Sequence, residues 1–453
     1  MRTFFTPLLP AILLLLLATA LFGRAETGRP NFILILTDDQ AWNGSAAMMD
    51  PEYEHSKSDY YETPSIERLA GAGMRFTDGY SPAPICTPTR RSIQYGMTPA
   101  RQKGSEFRSP FEPEKHVSIA QMLKRIDPAY RTAHFGKWGS QMGIDPAAAG
   151  YDAGDGPTDN WVGGMEWGHP LTTQLFRALD DPKRAFSITD RAIGFMEETV
   201  SMGRPFFLQV SHYAVHLDME CLSGTWEKYY DKPLGRYHKI DAFAAMTEDM
   251  DTAVGQLLDA VERLGVDDET YIFFTSDNGG IITEPERNFP LHEGKGSLYE
   301  GGLRVPLIVT GPGIEAGVFN ATPVVGWDLY ATIAELADGA PLELPYEIDS
   351  VSFAGLLRGG EPGPRLVDRA LVFHAPFHPQ HKMSVIRQGD HKFVRVWATT
   401  GSDEEGTALF DLAADIGESR DLSGERPGRT RELEATMMNY LKAVDARMPN
   451  FRN

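Results

Sequence analysis

The sequence contains very little cysteine: Cys86 and Cys221 are the only two among 453 residues. Two cysteines allow one disulfide at most, which excludes the framework of a small disulfide-rich module. Positive charge is also scarce, because 43 lysines and arginines are set against 63 acidic residues and the formal net charge is −20. This balance argues against nucleic acid and anionic membranes as partners. An anionic substrate would therefore need a local pocket of positive charge.

Long apolar runs are absent apart from one near the N-terminus, Leu8 to Phe22. That run has about 15 residues, fewer than the roughly 20 that a membrane span needs. Arg2 precedes it and small residues follow it up to Ala25, a pattern typical of a secretory signal peptide. We predict that residues 1–25 are cleaved off and that the protein is secreted or periplasmic, with no membrane span.

The remaining chain has no internal repeat and alternates apolar runs with amphipathic stretches. Residues 31–36 and 270–275 are apolar runs typical of parallel strands covered on both faces. Residues 240–264 place apolar side chains three and four apart, which predicts one long helix. Towards the C-terminus, short strands at hairpin spacing precede a final helix. We therefore predict an α/β fold with a large, mostly parallel sheet flanked by helices in residues 26–360, and a small antiparallel sheet plus a helix in residues 361–453.

Two adjacent carboxylates, Asp38 and Asp39, follow the first predicted strand. Open α/β sheets bind ligands outside the carboxyl ends of their strands, so a ligand site is one reading of this pair. Taken alone, the pair fits a polar turn that closes the strand equally well. A second polar pair, Asp277 and Asn278, follows the strand predicted at 270–275. The two pairs can therefore meet at one edge of the sheet.

The segment from Ile85 to Gly96 combines a rare cysteine with a rigid turn and an arginine. Pro88 favours the first turn of a helix, which would put Cys86 at a helix N-terminus, where backbone amides and the helix dipole attract anions. On these residues alone, Cys86 is either a nucleophile or a buried structural cysteine. The pattern Cys-x-Pro-x-Arg, followed at the sixth residue by Gly, resembles the signature of type I sulfatases, in which the cysteine is oxidised to formylglycine.

Further segments resemble the same family, in the same order along the chain, from about residue 29 to residue 423. They are Thr37–Gln40, Gly136–Gly139, Tyr213–His216, Ser276–Gly279, His292–Pro306 and, near the end, Phe410–Leu412 with Gly417–Leu422. On these motifs the chain is identified as a member of the sulfatase family, within the alkaline-phosphatase-like superfamily. The resemblance implies the fold of that superfamily and the activity of a sulfuric ester hydrolase.

The resemblance also implies roles for individual residues. Formylglycine, made from Cys86 by a formylglycine-generating enzyme, would supply the attacking oxygen, and His216 would give a proton to the departing alcohol. The sulfate would be bound by Arg90, Lys137 and Lys295. One calcium ion, which prefers hard oxygen ligands, would be held by the side chains of Asp38, Asp39, the converted Cys86, Asp277 and Asn278.

The chain departs from the family pattern at Gly139, where Gly-Lys-Trp-His ends in glycine in place of histidine. In the family, that histidine contacts the formylglycine and helps to expel sulfate from it. His212 is our candidate for the same role, because it lies four residues before His216 on the same strand-end loop.

The sequence leaves the substrate open. Secretion favours a sulfated polysaccharide or oligosaccharide, and so do Trp161 and Trp167 in a long loop, since an indole can stack on a sugar ring or simply pack the loop. His374, His378 and His381 either face the substrate or lie in a solvated loop. The alternatives are an arylsulfatase acting on small aryl sulfates, a formylglycine-dependent hydrolase of phosphonate or phosphate monoesters, a zinc phosphatase of the same fold, and a binding protein without catalysis.

Overall fold

The computed structural model describes residues 28–165, 176–282, 287–339, 343–379, 381–397 and 405–449. The predicted signal peptide at residues 1–25 lies outside these ranges, and so does Trp167. Within them, no helix is both long enough and apolar enough to cross a lipid bilayer.

Strands and helices alternate along most of the chain. The strands are β1 Asn31–Thr37, β2 Met74–Phe76, β3 Gly79–Tyr80, β4 Arg131–Gly136, β5 Ala153–Gly154, β6 Phe176–Ala178, β7 Phe206–Ser211, β8 Met219–Cys221, β9 Thr270–Ser276, β10 Leu307–Thr310, β11 Val318–Asn320, β12 Val324–Val325, β13 Leu371–Ala375, β14 Met383–Gln388, β15 His391–Val396 and β16 Gly406–Asp411. The α-helices are α1 Pro64–Ala72, α2 Cys86–Tyr95, α3 Ile119–Ile126, α4 Ala185–Ser201, α5 Ser223–Tyr230, α6 Asp241–Arg263, α7 Glu300–Leu303, α8 Asp328–Asp338, α9 Ala354–Leu357 and α10 Pro427–Ala443.

Eight strands form the main sheet, in the order β11-β2-β10-β9-β1-β7-β4-β5. The run from β9 to β5 is parallel throughout, whereas β10 is antiparallel to both of its neighbours. Every residue of β1, β7 and β9 is buried, as expected of central parallel strands that read as continuous apolar runs. The predicted large, mostly parallel sheet is therefore confirmed.

Helices cover both faces of the main sheet, because alternate residues of a strand point to opposite sides. Ile33 and Ile35 of β1 pack in one core with α1, α4 and α6. Phe32, Leu34 and Leu36 of the same strand pack in a second core with α3 and α8. The sheet is thus held between two helical layers, and only its edges and strand ends are available for a ligand.

The second sheet is formed by β13, β14, β15 and β16 and is antiparallel throughout. One of its faces, with Phe373 and Val385, packs against Tyr80 and Trp327 of the preceding part of the chain. The other face, with Ile386 among its residues, packs against α10. The predicted small antiparallel sheet with its helix is confirmed.

Helix starts depend on contacts that local sequence does not reveal. Serine is a common capping residue, yet Ser187 lies inside α4 and does not cap it. The helix begins earlier, at Ala185, because Asp181 Oδ1 accepts the backbone amides of its first turn. Similarly, the carboxylate of Asp251 on α6 accepts the first amides of α1.

Candidate active site

Four neighbouring parallel strands, β9, β1, β7 and β4, end at the same edge of the main sheet. The polar residues that follow them are Asp277 and Asn278 after β9, Asp38 and Asp39 after β1, His212 and His216 after β7, and Lys137 after β4. Backbone pairing continues past the strand ends, because the amides of Asp38, Asp277 and Lys137 each donate to a carbonyl of the neighbouring strand segment at 2.8–3.0 Å. This pairing holds the polar side chains in register.

The three acids form a buried cluster. Asp38, Asp39 and Asp277 are fully buried, and one oxygen from each lies within 4.8 Å of the others. Asn278 Nδ2 donates to Asp39 Oδ1 at 2.8 Å, and the amide of Asp39 lies 3.2 Å from Asp277 Oδ1. Asp38 Oδ1 and Asn278 Oδ1 are buried without a hydrogen-bond partner among the described residues. Buried oxygens left unpaired are costly, so this oxygen-rich cluster fits a metal ion.

One cation pairs with each acid of the cluster. Lys137 Nζ lies 2.5 Å from Asp38 Oδ2, and Lys295 Nζ lies 2.7 Å from the carboxylate of Asp39. Arg90 directs Nε and Nη2 at Asp277 Oδ2, at 3.0 and 2.7 Å. The three positive groups predicted to bind sulfate therefore converge on the two acidic pairs.

The charges in the cluster keep one another ionised. Burial alone would raise the pKa of Asp38, but Lys137 and His216 hold it below its ordinary value. Burial would likewise lower the pKa of Lys295, yet Asp39 raises it above the ordinary lysine range. Asp277 behaves differently, since burial and the nearby Asp38 raise its pKa to about 6. A divalent cation would relieve this repulsion and favour the ionised form.

Cys86 begins helix α2, as the sequence predicts. Its side chain is buried and interacts electrostatically with Arg90, Lys137 and Lys295, so all three cations lie near the sulfur. The first turn is fixed by Thr87 Oγ1, which donates to the Ser140 carbonyl at 2.9 Å. Both cysteines of the chain are unpaired, so the disulfide that two cysteines allow does not form.

His216 adjoins the cluster from β7. Its Nε2 lies 3.7 Å from Asp39 Oδ2, and its Nδ1 lies 2.5 Å from the carbonyl oxygen of Leu217. Burial, assisted by the positive charge of Lys295, lowers the pKa of its imidazole to about 4. His216 therefore lies beside the cations that are predicted to bind sulfate.

His212 is not brought into contact with this cluster. Its ring is buried, and neither nitrogen has a hydrogen-bond partner in the described part of the chain. Burial alone lowers its pKa to about 4, with no contribution from the charged side chains that act on His216. The role of His212 as the replacement for the missing family histidine therefore stays a prediction, without a hydrogen bond or ion pair to the cluster among the described residues.

Gly139 itself has a backbone that suits glycine. Its φ is 123°, in the region that other residues rarely adopt, and a Cβ there would lie 3.3 Å from Arg90 Cδ. The space beside it is a cavity of about 480 Å³ whose lining includes Gln141 and Asp159. A histidine at position 139 would be strained in this backbone conformation, so the local fold favours the glycine that departs from the family pattern.

Two histidines of the C-terminal part, His374 and His378, have different surroundings. His374 is buried in β13, with Nδ1 2.6 Å from Ser384 Oγ and Nε2 2.9 Å from the Arg447 carbonyl. His378 instead lies against Gly296, the residue after Lys295, where a Cβ would meet its Cε1 at 2.9 Å. The second sheet thus reaches the edge of the candidate site through His378.

Asn160 is a neighbour of the site that sequence reasoning missed. Its Nδ2 lies 3.3 Å from Nε2 of His216. Asn160 belongs to an irregular loop without apolar periodicity or a recognised motif, so no signal in the sequence singled it out.

A charged cluster at the carboxyl ends of parallel strands lies where open α/β sheets bind their ligands. A solved structure of the same fold, Ps i-CgsB in complex with k-i-k-neocarrahexaose, is 24% identical with a TM-score of 0.73, and the match covers 91% of this chain and 93% of that one. Residues 30–340 match the model of the Sulfatase family. The chain therefore belongs to the sulfatase family and is an enzyme of the sulfuric ester hydrolase class.

Curated relatives extend the match to most of the chain. Arylsulfatase A of Homo sapiens is 29% identical over 94% of this chain and 89% of its own length. N-acetylgalactosamine-6-sulfatase of Canis lupus familiaris is 26% identical over 87% of this chain and 77% of its own length.

Proposed function

We propose that this enzyme removes sulfate from a sulfated oligosaccharide or polysaccharide, using formylglycine formed from Cys86 and one bound calcium ion. The observation that carries the proposal is the convergence of Arg90, Lys137 and Lys295 on the acidic cluster beside Cys86. The chain has an overall charge of −20, so this local group of cations supplies the positive pocket that an anionic ester requires.

The sulfate is bound by these three cations. Each is buried or nearly so and is held in place by a carboxylate, so its orientation is set before the substrate arrives. Preorganised positive groups stabilise charge that develops on the sulfuryl oxygens as the ester bond breaks. Cys86 lies at the N-terminus of α2, where the helix dipole adds to the same effect.

The metal would be held by Asp38, Asp39, Asp277 and Asn278, together with the side chain at position 86. The unpaired Asp38 Oδ1 and Asn278 Oδ1 fit this role, and a set made of oxygen atoms suits calcium better than zinc. A bound calcium ion would polarise the attacking oxygen that a hydrated formylglycine at position 86 would supply.

His216 gives its proton to the departing alcohol oxygen as the S–O bond breaks. The negative charge of a bound sulfate ester favours the protonated ring, which offsets the lowering of its pKa by burial. A positioned acid of this kind contributes roughly 10²–10⁴-fold to the rate.

The substrate class is inferred from the name of a relative and from one exposed aromatic side chain. A sugar sulfate is suggested by the name of the relative N-acetylgalactosamine-6-sulfatase and by Trp161, which is 48% exposed on the loop that carries Asn160. The predicted signal peptide adds a secreted or periplasmic location, with a formylglycine-generating enzyme as the partner for maturation.

The test combines mass spectrometry with a substrate panel. We expect the peptide containing position 86 to carry the mass of formylglycine, and sulfate to be released from defined sulfated oligosaccharides faster than from a small aryl sulfate. We also expect a chelator to abolish turnover and added calcium to restore it. Hydrolysis of an aryl phosphonate that is faster than that of the sulfate esters would indicate a phosphonate monoester hydrolase instead. An unmodified cysteine in protein made with a formylglycine-generating enzyme, with no turnover, would support the binding protein instead.

A further inference from the structure

His216 is contacted at both ring nitrogens. Nδ1 lies 2.5 Å from the Leu217 carbonyl oxygen, and Nε2 lies 3.3 Å from Nδ2 of Asn160. Because a carbonyl oxygen only accepts, Nδ1 carries the proton of the neutral ring and Nε2 accepts from the Asn160 amide. These two contacts therefore select one tautomer of the His216 ring.

The loop that presents Asn160 is anchored along its length. Thr158 Oγ1 accepts the amide of Trp138 at 3.0 Å, and the carbonyl of Asn160 accepts the amide of Met165 at 3.1 Å. The buried Lys183 donates from Nζ to the Gly163 carbonyl at 3.1 Å. Asn160 is therefore held by a fixed backbone, and its amide can orient the imidazole that it contacts.

The other polar atom of the Asn160 amide is its oxygen, Oδ1. Oδ1 is buried and has no hydrogen-bond partner among the described residues. Leaving such an oxygen unpaired is costly, so its retention calls for an explanation. Rotation of the amide would turn Oδ1 towards the imidazole, so either polar atom of the amide can contact the ring.

We propose that Asn160 is a positioning residue that orients the imidazole of His216 through its contact with Nε2. When His216 acts as the proton donor, the Nε2 proton passes to the ester oxygen, which keeps the electron pair of the breaking S–O bond. The inference rests on the proposed function of His216 as the proton donor and adds a residue that acts only through it.

The readout is the dependence of the rate on the leaving group. A sugar alkoxide is a poor leaving group that needs the proton, whereas a nitrophenolate leaves without it. We expect Asn160→Ala to lower kcat for a sugar sulfate by roughly tenfold or more, with KM nearly unchanged, since the loss is in proton transfer. With 4-nitrophenyl sulfate, the same variant should stay within about twofold of the wild type. Val162→Ala, on the same loop and away from His216, is the matched control.

A double-mutant cycle separates positioning from a structural role. If Asn160 acts through His216, Asn160→Ala should have no further effect in a His216→Ala background. An undiminished effect in that background, or equal losses with both leaving groups, would overturn the proposal.

A second measurement does not depend on turnover. We expect the ¹⁵N signals of the His216 ring, identified by their loss in His216→Ala, to show a protonated Nδ1 in the wild type and a mixture of tautomers in Asn160→Ala. An unchanged tautomer in the variant would contradict the inference. A wild-type enzyme that shows the fixed tautomer but hydrolyses no sulfate ester would refute the proposed function and leave the positioning contact standing.

Discussion

Two clusters of charge in the described part of the chain differ in what surrounds them. The first, called here the strand-end cluster, lies at the strand ends of the main sheet and consists of Asp38, Asp39, Asp277, Arg90, Lys137 and Lys295. The second, called here the interface cluster, consists of Asp78, Tyr80, Glu300, Arg304, Arg387, Lys392 and Glu418. Its centre is Glu300, whose Oε1 lies 2.8 Å from Lys392 Nζ and whose Oε2 lies 2.8 Å from Arg304 Nε and 2.7 Å from Tyr80 Oη. Both oxygens of this carboxylate are therefore engaged by the protein itself.

The two clusters have the same formal charges, with three acids and three cations in each. In the interface cluster even Glu418 Oε1, which lacks a hydrogen bond, lies 2.8 Å from Lys392 Nζ, whereas at the strand ends Asp38 Oδ1 and Asn278 Oδ1 have no partner among the described residues. The clusters differ also in position, since the interface cluster joins the second sheet to residues 78–80 and 300–304, and the other lies beside the N-terminus of α2. A buried cluster of charge is therefore not by itself evidence of a functional site. At the strand ends, the additional evidence is the presence of unpaired oxygens beside a potential nucleophile.

Substitution of Cys86, beside the strand-end cluster, should have the largest effect on turnover and almost no effect on the free energy of unfolding. Cys86→Ala and Cys86→Ser should each lower turnover by roughly 10⁶-fold, the scale seen when a catalytic nucleophile is removed. Thermal denaturation should show both variants folded. Cys221→Ala is the matched control, since it removes the other buried cysteine and should retain activity. Turnover close to that of the wild type in Cys86→Ala would end the assignment of the nucleophile.

The opposite result is expected at the interface cluster. Lys392→Met leaves Glu300 and Glu418 buried together without their shared cation, so the free energy of unfolding should fall by about 3–5 kcal/mol. Activity per folded molecule should be retained, as measured by denaturant unfolding and by assays well below the transition. Lys57→Met, at an exposed lysine, should change neither quantity. A loss of turnover in folded Lys392→Met would show that the two clusters are coupled.

Removal of a cation at the strand ends should again act on catalysis. Lys137→Ala and Lys295→Ala should each lower kcat/KM for a sulfate ester by roughly 10²-fold, a typical loss for one preorganised charge-stabilising group. Lys57→Ala serves as the control for charge at a distance. Equal losses at Lys57 and Lys295 would mean that overall charge, and not the local pocket, governs the rate.

The smallest effect concerns acid stability in the C-terminal part. Burial lowers the pKa of His374 from 6.5 to about 4, so the folded protein binds fewer protons there than the unfolded chain. Its contribution to stability is complete above pH 6.5 and is lost as the pH falls towards 4. From pH 7 to pH 5 this should cost about 2 kcal/mol, and His374→Gln should remove that part of the pH dependence in urea unfolding. An identical slope in the variant would contradict this account.

Much of the strand-end cluster follows from sequence, because it depends on simple periodic elements. Apolar runs locate β1 and β9, and the carboxyl ends of parallel strands meet at one edge, so Asp38 and Asp277 are expected to be neighbours. Pro88 likewise marks the start of α2 at Cys86.

The remaining contacts depend on which segments pack together, and local sequence does not report that. Asn160 reaches His216 from an irregular loop, and Asp251 binds the first amides of α1 from another helix. The interface cluster appears only when Lys392 of the second sheet meets Glu300. Position in space also separates His216 from His212, which are close in the chain but differ in their electrostatic surroundings.

The burial of Cys86 has a consequence for the order of events in biosynthesis. The residue is 3% exposed, and all of α2 is buried with it. A maturing enzyme of the kind proposed above would need access to a side chain that the folded protein covers. If Cys86 is converted to formylglycine, we therefore expect the conversion to precede the folding of this segment.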